Sequence, residues 1–286
     1  MEIEHLDHPI RIDEFYLRYA ERRPLILRTQ SLAQLGWRTH LWSDEYLDYK
    51  AGAHTVLVLK RSQSPDYAPE RSSYIPMRFR DFLRQVMADS NGSSDLYLNL
   101  QTDKVLEPPL LQLLGDFSIP PYFKDLPLRS INLWMGHRDD AITTPLHHDF
   151  NDNLYVVVEG RKHFTVFPPA QAENLYTRGH IAVVESNGLI RYQSGQHMPH
   201  LSQVDILHPD TQRFPRYAEA QTARMDFEIR GNEMLFLPAG WFHQVSSTGR
   251  HIAVSFFADV PRIEGLRRMR ASLAARSSSP GLPLQG

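Results

Sequence analysis

Apolar and polar positions follow two different rhythms along this chain. In "IDEFYLRYAERRPLILR" the spacing predicts a short helix capped at Asp13 and running to about Ala20, then a strand from Pro24 to Arg28. The apolar run "HTVLVLK" predicts another strand. Farther on, Phe79, Phe82, Leu83 and Val86 share one helical face, and Asn91-Gly92 ends that helix. "DLYLNLQ" returns to alternation, so residues 1–125 form a mixed α+β region with no evident catalytic cluster.

From about Leu128 the strand rhythm takes over. "SINLWMG", "NLYVVVEGRKHFTVF", "RMDFEIRGNEMLFLPAG" and "QVSSTGRHIAVSFFA" are short β segments, with Glu159-Gly160, Gly231-Asn232 and Thr248-Gly249 as hairpin punctuation. This pattern predicts a mainly β domain over residues 126–260, a sandwich or double-sheet jelly roll. A long insertion at about 171–223, containing "SGQHMPHLSQVDILHPDTQRFPRY", interrupts it; such long connections are functional, here as part of a substrate lid, or mobile. His197 and His200 lie three apart in it, yet with no third ligand they read as ordinary polar loop residues. Over residues 261–276, Ile263, Leu266, Met269 or Arg270, and Leu273 recur at helical spacing. That apolar edge packs either on the domain or on a second subunit, giving a homodimer, and residues 277–286 are expected to be disordered.

Composition narrows the chemistry. The 286 residues contain no cysteine, which excludes disulfides, thiolate zinc sites and a cysteine nucleophile. Metal chemistry then falls to His, Asp and Glu. A net charge of −2 gives no global attraction to nucleic acid or to an anionic membrane, and the arginines of the tail helix read as a solvated face. No segment approaches the roughly 18 apolar residues of a membrane span, and "MEIEHLDHPI" has no signal-peptide apolar region, so the expected location is cytoplasmic.

"TTPLHHDFNDNLY", residues 143–155, places three potential ligands in a row. In a strand, side chains alternate between faces, so His147 and Asp149 can share a metal while His148 looks the other way. A third ligand has to come from a distant strand, and "NEMLFLPAGWFHQV" offers His243. Two imidazoles and one carboxylate on one face make the facial triad of non-haem Fe(II) oxygenases, whose open positions admit a co-substrate and O₂. The same ligand set also suits a zinc-activated water. Lys162 in "GRKHFTVFPP", flanked by Phe164, Val166 and Phe167, reads as a half-buried ammonium that needs an anion, with Arg161 and His163 on the solvated face. Such a dicarboxylate clamp has no use in a hydrolase.

"TPLHHDFNDNLYVVVEGRKHFTVFPP" followed by "GNEMLFLPAGWFHQVSS" and "HIAVSFF" resembles the jumonji-C and cupin-like hydroxylases that use Fe(II) and 2-oxoglutarate. The resemblance covers most of residues 10–260 and is strongest to the jumonji-domain lysyl hydroxylase subgroup. It implies a double-stranded β-helix with N-terminal α+β elements and a C-terminal helix. His147, Asp149 and His243 would hold the iron, and Lys162, Thr144, Tyr97 and Asn153 would hold 2-oxoglutarate. Asn132 and Trp134 match a strand lining the pocket. Where the family often has an asparagine facing the co-substrate, this chain has Ser255 and Phe257; Ser255 is shorter, so a contact there either passes through water or is absent. The implied enzyme is a 2-oxoglutarate-dependent dioxygenase that hydroxylates a C–H bond and releases succinate and CO₂. Its expected substrate is a protein or peptide side chain, lysine among the candidates. A small-molecule substrate, N-methyl-lysine demethylation and a non-catalytic metal-binding protein are the alternatives.

Overall fold

The computed structural model describes residues 2–8, 10–28, 31–60, 73–89, 91–100 and 104–277. Strands β1 (Glu4–Leu6), β2 (Leu25–Arg28), β3 (Thr55–Lys60), β4 (Ser73–Arg78) and β5 (Leu96–Leu100) alternate with helices α1 (Ile12–Tyr19), α2 (Asp44–Ala51) and α3 (Phe79–Phe82). Then come β6 (Leu128–Thr143), β7 (His147–His148), β8 (Asp152–Glu159), β9 (Arg161–Phe167), β10 (Ile181–Val184) and β11 (Ile190–Tyr192). Helix α4 (Tyr217–Gln221), β12 (Met225–Arg230), β13 (Glu233–Leu237), β14 (Phe242–Ala258) and α5 (Ile263–Ser277) complete the order. Asp13 lies one residue inside α1 rather than at its cap, which is Arg11; its carboxylate accepts from the Glu14 amide and from Arg11. A carboxylate there still complements the positive end of the helix.

β14 organises the barrel. Along one edge it pairs with β6 from Ser246↔Thr143 to Ala258↔Leu128. Along the other it pairs first with β9, from Phe242↔Phe167 to Ser247↔Lys162, and then with β8, from Ile252↔Glu159 to Ala258↔Asp152. One strand therefore serves both layers of a double-stranded β-helix, the mainly β jelly roll expected. Glu159-Gly160 and Gly231-Asn232, however, are not hairpin turns. β8 pairs with β13 and β14, and β9 with β12 and β14, so the chain turns a corner from one layer to the other at each place. Both corners require a positive φ, 77° at Gly160 and 75° at Asn232, as a hairpin would, which is why the sequence signal is the same. Thr248-Gly249 lies within β14, at a register shift where the strand passes between layers.

Alternation along β14 separates two cores. Ile252, Val254 and Phe256 face outward into the main core, which Phe15, Tyr19, Trp37, Phe79, Phe82, Leu83 and Val86 of the N-terminal region cover. Ala253 faces inward with Tyr155, Val157, Phe164, Val166, Leu237 and Trp241. The N-terminal elements thus seal the outer face of the large sheet and extend it through β5, β3 and β4.

The insertion is a packed unit. Leu175, Ile190, Val204, Ile206, Phe214 and Tyr217 form a third cluster with Phe167 and Phe242 of the barrel, and β10 pairs with β11. At the other end, α5 packs against α1; Leu266 is buried and Met269 rests on the main core. Ile263 and Leu273, on the same apolar edge of α5, are half-buried. The tail from residue 278 to 286 lies outside the described residues.

Candidate active site

The site is built where β7, β9 and β14 meet. β7 pairs with β14 so that His147 and His243 are directly opposite, with ring centroids 4.3 Å apart. Asp149 follows on the same face, its Oδ2 3.6 Å from Nε2 of His243. One ligand atom from each of His147, Asp149 and His243 lies within 4.8 Å of the others. His147 Nδ1–H donates to the Pro145 carbonyl at 2.8 Å and His243 Nδ1–H to the Trp241 carbonyl at 3.1 Å. These bonds fix both tautomers and leave the Nε2 lone pairs free, which is the state a metal ligand needs. Burial, reinforced by neighbouring His147, pushes His243 down to about 4, so it is neutral at physiological pH.

His148 occupies the opposite face, as strand alternation requires. It is fully buried, its ring stacked on Tyr192 with Nε2 accepting the Tyr192 hydroxyl at 2.7 Å. Burial lowers it to about 4 as well.

Lys162 is only 1% exposed, so the ammonium expected to be half-buried lies fully inside the barrel. The apolar strands around it, not just its own neighbours, close it off. Its Nζ donates to the Tyr97 hydroxyl at 3.0 Å and sits 5.3 Å from that ring's centroid. Arg161 and His163, its neighbours on β9, are exposed. Thr144 Oγ1 accepts from the Val245 amide at 2.9 Å, leaving its O–H available to donate. Asn153 is 5% exposed, and its Oδ1 is buried without a partner among the described residues. A buried amide oxygen left unsatisfied is costly, so such an atom marks a place where a ligand or water donor belongs.

All seven residues singled out in the sequence line one cavity of about 260 Å³, together with Trp134 and Phe257. Ser255 has a different task from the family's asparagine: its Oγ accepts the Trp134 indole N–H at 2.8 Å, pinning an aromatic wall. Asn132 is buried on the same strand as Trp134 but lies outside the cavity lining. Two contributors, Asn99 and Tyr74, were not singled out in the sequence, where His200 reads as an ordinary polar loop residue. Asn99 stands two residues after Tyr97 on the same face of β5, so alternation carried the signal. Tyr74, on β4, receives a hydrogen bond from Asn99 Nδ2 at 3.1 Å. His200, from the insertion, lines the cavity 6.4 Å from His147 between ring centroids, whereas His197 is exposed. Burial pushes His200 down to about 4.

Fold and site define a jelly-roll barrel with a His-Asp-His constellation and a buried lysine opening into one cavity. The sequence profile of the cupin-like domain matches residues 13–260. The human protein named bifunctional peptidase and (3S)-lysyl hydroxylase JMJD7 is 36% identical over 137 residues, 46% of this chain and 42% of its own length. JmjC domain-containing protein 4 of Schizosaccharomyces pombe is 32% identical over 209 residues, covering 66% of this chain and 43% of that protein. Lysine-specific demethylase JMJ30 of Arabidopsis thaliana is 29% identical over 250 residues, 85% of this chain and 52% of that protein. The chain belongs to the cupin-like family, among the jumonji-C proteins, and spans about half the length of these curated relatives or less. Among its described residues no helix is long and apolar enough to cross a membrane.

Proposed function

We propose that this protein is an Fe(II)- and 2-oxoglutarate-dependent oxygenase that hydroxylates a C–H bond of a protein side chain. The observation that carries this reading is the presence, in one cavity, of a two-imidazole, one-carboxylate donor set and a buried lysine. The donor set suits Fe(II). His147, Asp149 and His243 would hold the ion, and the group would supply the activation of O₂, coupled to conversion of 2-oxoglutarate into succinate and CO₂.

The chain's own residues do the rest. Lys162 would pair with the distal carboxylate of 2-oxoglutarate, with the Tyr97 and Thr144 hydroxyls and the Asn153 side-chain NH2 as further donors; the orphaned Asn153 Oδ1 calls for a donor, such as water, that the co-substrate does not supply. Trp134, Phe257 and Tyr155 form an aromatic wall of the cavity. A zinc hydrolase has no use for a buried cation at this place, which favours the oxygenase.

Lysine is the substrate residue this reading favours, because a relative is named a lysyl hydroxylase; hydroxylation and N-methyl-lysine demethylation remain two outcomes of the same chemistry. The test is succinate release by purified protein with Fe(II), 2-oxoglutarate and ascorbate, followed by mass spectrometry of candidate peptides. Gain of one oxygen atom means hydroxylation and loss of a methyl group means demethylation. Absence of succinate under every condition, with and without peptides, would sink the oxygenase reading.

A further inference from the structure

The buried face of β7 has no role in the reading above, yet it carries an unbroken chain of contacts. Tyr192, on β11 of the insertion, donates its hydroxyl to Nε2 of His148 at 2.7 Å. The other ring nitrogen, Nδ1–H, donates to the backbone carbonyl of Asp149 at 3.1 Å. That same carbonyl accepts the Gly240 amide at 2.9 Å, in the turn that leads to His243.

The insertion also lies along the free edge of β7. Ser202 donates its amide to the Leu146 carbonyl at 2.9 Å, His148 donates to the His200 carbonyl at 3.3 Å, and His147 is bridged to Leu201. β14 holds the opposite edge. This short insertion segment thus supplies both an edge strand for β7 and, through Met198, His200 and Leu201, part of the cavity wall.

We propose that His148 is a positioning residue that couples the insertion to the metal ligands, so that filling the metal site orders the cavity wall and an ordered wall tightens the metal site. The inference rests on the reading that His147, Asp149 and His243 hold a divalent ion. Its physical basis is reciprocity: if an ordered wall favours one placement of Asp149 and His147, an ion that needs this placement favours the ordered wall equally. His148 suits the task because it is fully buried, stacked between layers, and uses both nitrogens, one toward the insertion and one toward Asp149.

The test uses the full chain, Mn(II) as the probe ion, and Tyr192→Phe as the main variant. That substitution removes one hydroxyl, bonded to His148, and keeps the ring. Mn(II) binding is followed by electron paramagnetic resonance, and amide hydrogen exchange is read at Leu201 and Ser202 with and without the ion. We expect Mn(II) to bind about tenfold more weakly to the variant, the scale seen when outer partners of metal ligands are lost. We also expect Mn(II) to slow exchange at Leu201 and Ser202 in the wild type and to lose most of that effect in the variant. A merely structural role would instead speed exchange throughout, including at Val156 and Val254 of the main core. In combination with His148→Phe the losses should be less than additive, since both break the same relay. Equal Mn(II) affinity in wild type and Tyr192→Phe, with exchange at 201–202 indifferent to the ion, would overturn the coupling alone. A wild type that binds no Mn(II) would overturn the metal-site reading and the coupling with it.

Discussion

Two buried charges, ten positions apart in the sequence, are treated in opposite ways. Asp152 opens β8 with no exposed surface, enclosed by Arg22, by the Tyr19 hydroxyl at 2.5 Å and by the Ala239 amide at 2.9 Å. The Trp241 indole N–H adds a bond to the Arg22 carbonyl at 2.9 Å. This is a closed ion pair, and it ties the end of α1 to the turn before His243. Lys162 is just as buried, but its cationic end faces the cavity. The difference sets apart two settings for a buried charge: one is surrounded by its own chain, the other borders space that a ligand can fill.

Breaking the closed member should have the largest effect. Arg22→Ala leaves the Asp152 carboxylate without its cation and should lower unfolding free energy by about 3–5 kcal/mol in urea titration. A loss below about 1 kcal/mol would mean that the pair is not closed in solution. Lys162→Met should do the reverse, leaving stability within about 1 kcal/mol of wild type or above it, because an apolar chain of similar length replaces a buried charge. It should weaken 2-oxoglutarate binding by about 2 kcal/mol, a hydrogen-bonded charge pair's contribution, which calorimetry would read.

Acid extends the contrast to the uncharged buried groups. His148, His200 and His243 are each pushed from 6.5 down to about 4. Between these values the unfolded chain takes up protons that the native state refuses, so stability of the metal-free protein should be full above about pH 6.5 and fall as the pH drops toward 4. A stability profile flat over that window would contradict the neutral state assigned to these rings. The smallest effect belongs to Ser255→Ala, which strips the Trp134 indole of its acceptor. It should cost about 1 kcal/mol and shift Trp134 fluorescence without changing the metal site.

Much of the site was legible because it follows period two. Alternation alone separates His148 from His147 and Asp149, and turns Lys162 inward while Arg161 and His163 face water. What it cannot convey is depth and partnership across the sheet. A positive-φ dipeptide is needed equally by a hairpin and by a corner, so Glu159-Gly160 looked like one and is the other. Burial of Lys162 depends on strands that are remote in sequence, and the role of Asp152 depends on Arg22, 130 positions away. His200 shows the same limit: its place in the wall follows from the bridge of its neighbour Leu201 to His147, 54 positions away.

The sharing of β14 between both layers also ties three positions to one segment. Its first half holds β7 on one edge and β9 on the other, so His147, His243 and Lys162 are all secured by the same few ladder bonds. The spacing between the two histidines that would hold an ion is therefore fixed by the ladder, and opening of this half of β14 would separate all three positions at once.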